Sequence, residues 1–270
     1  AGCFNSGCAA DPKMDAGEWA RRALGLAPGE RPWARLFEEY GTDAPGTRPV
    51  AVAPSGPDWV RLPREMRRFS YVGSLMQESF VEFALRQWGL GVFDLMAWGC
   101  GWCLECRYSW RIVIPVVMGG APVAFQARIV DADRLVLVRS DRKYLTSEWG
   151  PRDDPRAECG RPASQLLFHV DAVQPEGEVL VVEGAADVMA WHRRDRGRQP
   201  AAVALLGTAL TAEKLALVAS KRPARVVVAL DAEPAATERA RGYVKDFRAW
   251  DVPAALGEWV GGKDAGSGAE

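Results

Sequence analysis

Residues 179–190 read VLVVEGAADVMA: strand-forming residues run into Glu183-Gly184, and a helical pattern follows with a second acid at Asp187. A hydrophobic strand has no packing use for a terminal carboxylate, and burying one without a partner is costly. Carboxylates at strand ends stand where the chain leaves a sheet toward a ligand. Downstream the texture repeats. AVALLG (202–207) and ARVVVALD (224–231) are apolar runs of strand length. AADVMAWHRRDRG (185–197) and TAEKLALVASKRP (211–223) between them have the length and period of helices. Apolar strands alternating with helices predict a parallel sheet with helices on both faces. The fold class is therefore α/β over residues 176–270.

Upstream the pattern changes. SWRIVIPVVMGGAPVAFQARIVDADRLVL (109–137) is β-branched, lacks a helical period and contains a Gly-Gly turn, which predicts antiparallel strands. A helix is predicted from Met76 to Trp88, stopped by Gly89. Residues 58–175 thus read as a mixed α+β subdomain. The stretch 41–57, GTDAPGTRPVAVAPSGP, reads as a linker, and residues 1–40 as an appendage with a short helix capped by Asp15.

The chain has 270 residues, 48% of them hydrophobic and 26% charged, with a net charge of −1. That balance excludes a global field for nucleic acid or membrane, so any nucleic-acid surface must be a local patch. No apolar run approaches the ~18 residues of a membrane span, and no signal peptide is evident. Six cysteines without secretory features predict reduced thiols or metal ligands in the cytoplasm, with no disulfide framework.

Acids gather where the parallel sheet should present its carboxyl edge. Glu183 and Asp187 follow the first strand, Asp231 and Glu233 the third, and Asp264 lies in GGKDAG near the C-terminus. Adjacent parallel strands lie ~4.8 Å apart, so these acids can converge on one rim. Clustered carboxylates need cations, and oxygen donors select hard ions such as Mg²⁺ or Mn²⁺. Each acid also has a plainer use, because carboxylates are favourable at helix N-termini and in turns.

EGAAD, AVALLGTALTAEKLALV, VVVALDAEPAA and GGKDAG, in that order, resemble the TOPRIM domain of bacterial (DnaG-type) and phage DNA primases. The likeness extends upstream through RIVIPVVMGGAPVAFQAR, KYLTSE and LLFHVDAV, and spans roughly residues 60 to 265. It departs from the family at Asp231-Ala232-Glu233, where an Asp-x-Asp pair is usual, and at Ala235-Ala236, where a glycine is usual. The resemblance implies a Rossmann-like TOPRIM sheet and a primase catalytic core. Such a core joins ribonucleoside triphosphates into short RNA primers on a single-stranded DNA template. It implies Glu183, Asp231 and Glu233 as catalytic residues, with Asp187 and Asp264 completing the ligands of a two-metal Mg²⁺ or Mn²⁺ site. Arg107, Arg111, Arg128, Lys143 and Lys263 would line the template and nucleotide groove. A replicative helicase is an implied partner.

The same resemblance places CFNSGC (3–8) as the second half of a zinc ribbon. Cys3 and Cys8 alone cannot fill a four-coordinate site, so a complete zinc site is not expected. CGWCLEC (100–106), with Cys159 as a fourth candidate, has the spacing of a metal knuckle. Its cysteines are equally comfortable as small buried hydrophobes. His169 and His192 read as structural, and the arginines of PREMRRF (63–69) as a solvated helix face. Two rival functions use the same residues: a TOPRIM metal-dependent nuclease, and a non-catalytic module that holds single strands or partners a helicase.

Overall fold

The computed structural model describes residues 59–71, 74–130, 142–195 and 200–259. The appendage, the linker, Cys3, Cys8, Lys263 and Asp264 lie outside them.

The first sheet is five-stranded in the order β1 (Arg67–Arg68), β2 (Gly101–Cys103), β3 (Arg111–Met118), β4 (Ala121–Ile129) and β5 (Tyr144–Thr146), antiparallel throughout. Arg67 and Arg68 are thus an exposed edge strand, which corrects the helical reading of PREMRRF. A charged edge discourages strand addition, and Arg67 also lies over the Trp102 ring. Gly119 and Gly120, at φ 65° and 77°, turn β3 into β4 as a two-residue hairpin requires.

The hairpin carries a bulge. Val117 pairs with Pro122 but Val116 pairs with Ala124, so Val123 is an extra residue on β4. Without it, Arg111 would face Arg128 across the ladder. With it, Arg111 pairs with Ile129 and Arg128 with Ile112, which sends the two arginines to opposite faces. Both faces are covered. Ile112, Ile114 and Val116 enter the main core, while Val113, Phe125 and Ala127 join a smaller cluster with Cys103 and Tyr108.

Helix α1 (Leu75–Trp88) starts at Ser74, whose hydroxyl accepts from the Gln77 amide, and ends at Gly89 in the left-handed region. A short helix, α2 (Val92–Ala97), follows.

The second sheet is parallel, in the order β7 (Ala201–Ala204), β6 (Glu178–Val182), β8 (Arg225–Val228), β9 (Ala254–Leu256). Helices α3 (Ala185–Asp195), α4 (Ala212–Ser220) and α5 (Pro234–Ala249) alternate with its strands. α3 packs on β7, and α5 on β8 and β9. Val179, Val181 and Val182 are buried, as the unbroken apolar run requires, and each such side chain contributes roughly 1.5–3 kcal/mol. One continuous core joins the two sheets, from Phe80 and Trp102 to Phe247. No helix among the described residues is long and apolar enough to cross a membrane.

Candidate functional site

Because β6 adjoins β8, the chain leaves both strands on the same edge. Glu183 follows β6 directly, and Asp231 lies three residues beyond β8. Both line a cleft of about 570 Å³, together with Asp187 and the loop residues Leu206 and Gly207. The opposite wall comes from β4, β5 and the end of α1, and carries Gln126, Arg128, Lys143, Tyr144 and Trp88. An acidic rim on one sheet therefore faces a cationic and aromatic wall on the other.

The acids are held locally. Asp187, in the first turn of α3, accepts at Oδ2 from the Gly184 amide at 3.0 Å, the carboxylate half of a capping box. A Cβ at position 184 would stand 3.0 Å from that oxygen, so glycine suits the close turn. Glu183 Oε1 accepts from Arg239 Nη2 of α5 at 2.8 Å. Glu233 is the exposed N-cap of α5 and does not line the cleft.

On the cationic wall, the Arg128 guanidinium lies 5.2 Å from the Phe83 ring centroid and 5.3 Å from that of Tyr144. Stacking on two rings fixes its plane at the cleft. Burial pushes the Tyr144 phenol up to about 12. Arg128 opposes that shift, while Asp187 and Asp231 add to it. The two walls are thus close enough to feel each other's charge. Gln126 Nε2 donates to the Leu206 carbonyl at 3.2 Å and ties the sheets together at the cleft.

Two predicted groove residues are elsewhere. Arg111 is fully buried, and its guanidinium donates to the carbonyl oxygens of Ala127, Lys143 and Arg142 at 3.0–3.3 Å. Burial, with Arg128 adding to it, pulls its pKa down to about 10. Its role is to hold backbone, because the bulge turned it away from the cleft. Arg107 pairs with Glu148 at 2.7 Å on the outer surface and does not line the cleft.

The sequence reading missed four contributors. Arg239 and Tyr243, one turn apart on α5, grip Glu183 and the Thr208 carbonyl. Lys214 is buried beneath the β7–α4 loop, where Nζ donates to the Leu205 and Ala209 carbonyls at 2.6 and 3.2 Å. Tyr144 stood beside Lys143 in the quoted motif but was not singled out. None has a local signal, since each partner lies in another element or in the loop it supports.

Both histidines pack against one tryptophan. His169 Nδ1 lies 3.1 Å from the Ala202 carbonyl, and both imidazoles stand edge-on to Trp98. Cys100, Cys103 and Cys159 are buried. Burial pushes the Cys100 thiol up to about 12.

A hard divalent ion fits the chemistry of the rim, because Glu183, Asp187 and Asp231 offer only oxygen donors on one side of one cleft. They are not drawn together around a point. Among the described residues no group of three or more His, Cys, Asp or Glu side chains is placed to hold a metal ion.

Residues 180–266 match the family described as Toprim-like. No curated protein matches the chain in sequence. Among solved structures, it is similar to the zinc-binding and RNA polymerase domains of the Aquifex aeolicus primase, with 18% identity and a TM-score of 0.56. That likeness covers 73% of this chain and 52% of the other, so the chain spans about half the Aquifex protein's length. The RNA polymerase domain of Mycobacterium tuberculosis primase DnaG is similar at 19% identity and a TM-score of 0.55, covering 72% of each chain. The same domain solved in complex with double-stranded DNA gives 18% identity and a TM-score of 0.54, covering 72% of this chain and 69% of the other. At such identities the likeness is one of fold. The chain therefore carries a Toprim-like domain over residues 180–266 and has the fold of the RNA polymerase domains of DnaG-type primases.

Proposed function

We propose that the chain is the catalytic core of a DNA primase, joining ribonucleoside triphosphates on a single-stranded DNA template with release of pyrophosphate. The observation that carries this reading is the cleft in which Glu183, Asp187 and Asp231 face Arg128 and Lys143 across about 570 Å³. Nucleotidyl transfer needs that opposition: cations to grip phosphates, and hard oxygen donors for the ions that neutralise the reacting ones.

Glu183, Asp187 and Asp231 would hold Mg²⁺ or Mn²⁺, with Glu233 and Asp264 as the further acids of the set. A bound divalent ion supplies Lewis acidity at the α-phosphate and lowers the pKa of the attacking 3′-hydroxyl. Arg128, its plane fixed between Phe83 and Tyr144, orients phosphate oxygens, and Lys143 adds a solvent-facing charge. Lys263 would join them. Tyr144, half-buried at the cleft, offers aromatic surface for a base of the template.

The Arg239–Glu183 ion pair favours one rival, a metal-free module that binds single strands. One assay separates the readings. The protein is incubated with labelled single-stranded DNA and Mg²⁺ or Mn²⁺, with and without ribonucleotides, alongside Glu183→Gln. Nucleotide-dependent products that vanish in the variant support the primase. Shortened strands without nucleotides assign a nuclease, and strand retention with neither assigns the module.

A further inference from the structure

Arg239 stands where a cation is wanted. Its Nη2 is 2.8 Å from Glu183 Oε1, and the carboxylate is 19% exposed against 35% for the arginine. The pair is therefore largely desolvated on the acid side, with an open path to solvent on the guanidinium side. The guanidinium is also poorly matched: its Nε is buried and has no hydrogen-bond partner among the described residues. An arginine fork usually satisfies several donors at once, and this one does not.

The backbone beneath it is held in place. Tyr243, one turn further along α5, donates to the Thr208 carbonyl and anchors that face of the helix to the β7–α4 loop. Movement at Glu183 thus falls to the Arg239 side chain and not to the helix. A divalent ion carries twice the charge of a guanidinium and bonds a carboxylate oxygen directly. At Oε1 it displaces the resident partner, and at Oε2 it meets a carboxylate whose charge the guanidinium already offsets.

We infer that Arg239 is a counter-cation that occupies Glu183 while the cleft is empty and competes with divalent ions for it. This rests on the reading of Glu183 as a metal ligand. Arg239 neutralises the rim acid without a metal and sets the ion concentration at which the site loads. It is a positioning residue, acting through Glu183.

Mn²⁺ titration calorimetry without nucleotide tests this on the wild type, Arg239→Gln, Glu183→Gln and the double variant. Loss of a partly exposed ion pair should tighten Mn²⁺ binding about three- to tenfold in Arg239→Gln. Glu183→Gln should weaken it, and the double variant should bind no more tightly than Glu183→Gln alone. A merely structural arginine would weaken binding when removed. In the wild type, Mn²⁺ should also accelerate modification of Arg239 by phenylglyoxal, mapped by mass spectrometry, a measurement that needs no variant. Unchanged or weaker Mn²⁺ binding in a folded Arg239→Gln, or unaccelerated modification of a protein that binds Mn²⁺, overturns the inference alone. Absence of Mn²⁺ binding from wild type and Arg239→Gln alike overturns both the inference and the metal reading.

Discussion

Arg111, fully buried, donates from Nη1 to the carbonyl oxygen of Lys143 at 3.0 Å, so the backbone of an exposed cleft lysine hangs from an arginine in the interior. The same guanidinium reaches the carbonyls of Ala127 and Arg142, which joins β4 to the segment leading into β5. Arg111→Met should leave these acceptors without their donor and lower stability by about 2–4 kcal/mol. Arg111→Lys should recover little, because a point-like ammonium cannot reproduce the planar fork. Denaturant unfolding checks both; a loss below 0.5 kcal/mol on the same scale would mean the carbonyls find water instead.

Lys214 is 4% exposed, and burial pulls its ammonium down to about 8, with Glu213 opposing. Its two acceptors need only two hydrogens, which the neutral amine also supplies. The folded pKa lies below the unfolded value of 10.5, so between about pH 8 and 10.5 the unfolded chain holds more protons. The Lys214 contribution to stability should therefore rise across that window, by about 3 kcal/mol in full. The difference between wild type and Lys214→Met isolates it from the buried thiols and phenols. A difference that stays flat from pH 8 to 10 would count against the burial.

Cys100, Cys103 and Cys159 should resist a thiol reagent in the native protein and label once denaturant opens the core. Peptide mapping after timed labelling reads each site separately. Fast native labelling of Cys100 would contradict its buried, protonated state.

Arg128→Met and Lys143→Met should each weaken single-strand binding and make the slope of log K against log salt shallower by about 0.7, one phosphate contact apiece. Arg107→Met, already paired with Glu148 outside the cleft, should leave the slope alone. Equal effects at all three positions would point to a diffuse field and remove the cleft as the binding surface.

Much of the scaffold was legible because its signals are local. Gly89 marks the end of α1, Gly119-Gly120 marks the hairpin, and unbroken valines mark parallel strands. The convergence of Glu183 and Asp231 followed from strand adjacency alone. Arg111 and Arg128 show where such reading stops. They are equivalent residue types on one hairpin, and the face each takes depends on one extra residue, Val123, that no pattern around it announces. Arg239 was hidden for another reason: its partner is 56 positions away, and a helical arginine facing an acid looks in sequence like one facing water. The exposed arginines at 67 and 68 misled because a two-residue edge strand is too short to have a period.

The most direct test is template-directed synthesis by the wild type and Asp231→Asn, with labelled ribonucleotides, single-stranded DNA and Mg²⁺ or Mn²⁺. The cleft account predicts short labelled RNA that requires template and ion, reduced on the order of 10²-fold or more by the single loss of charge at Asp231. Equal synthesis by the two proteins would contradict it.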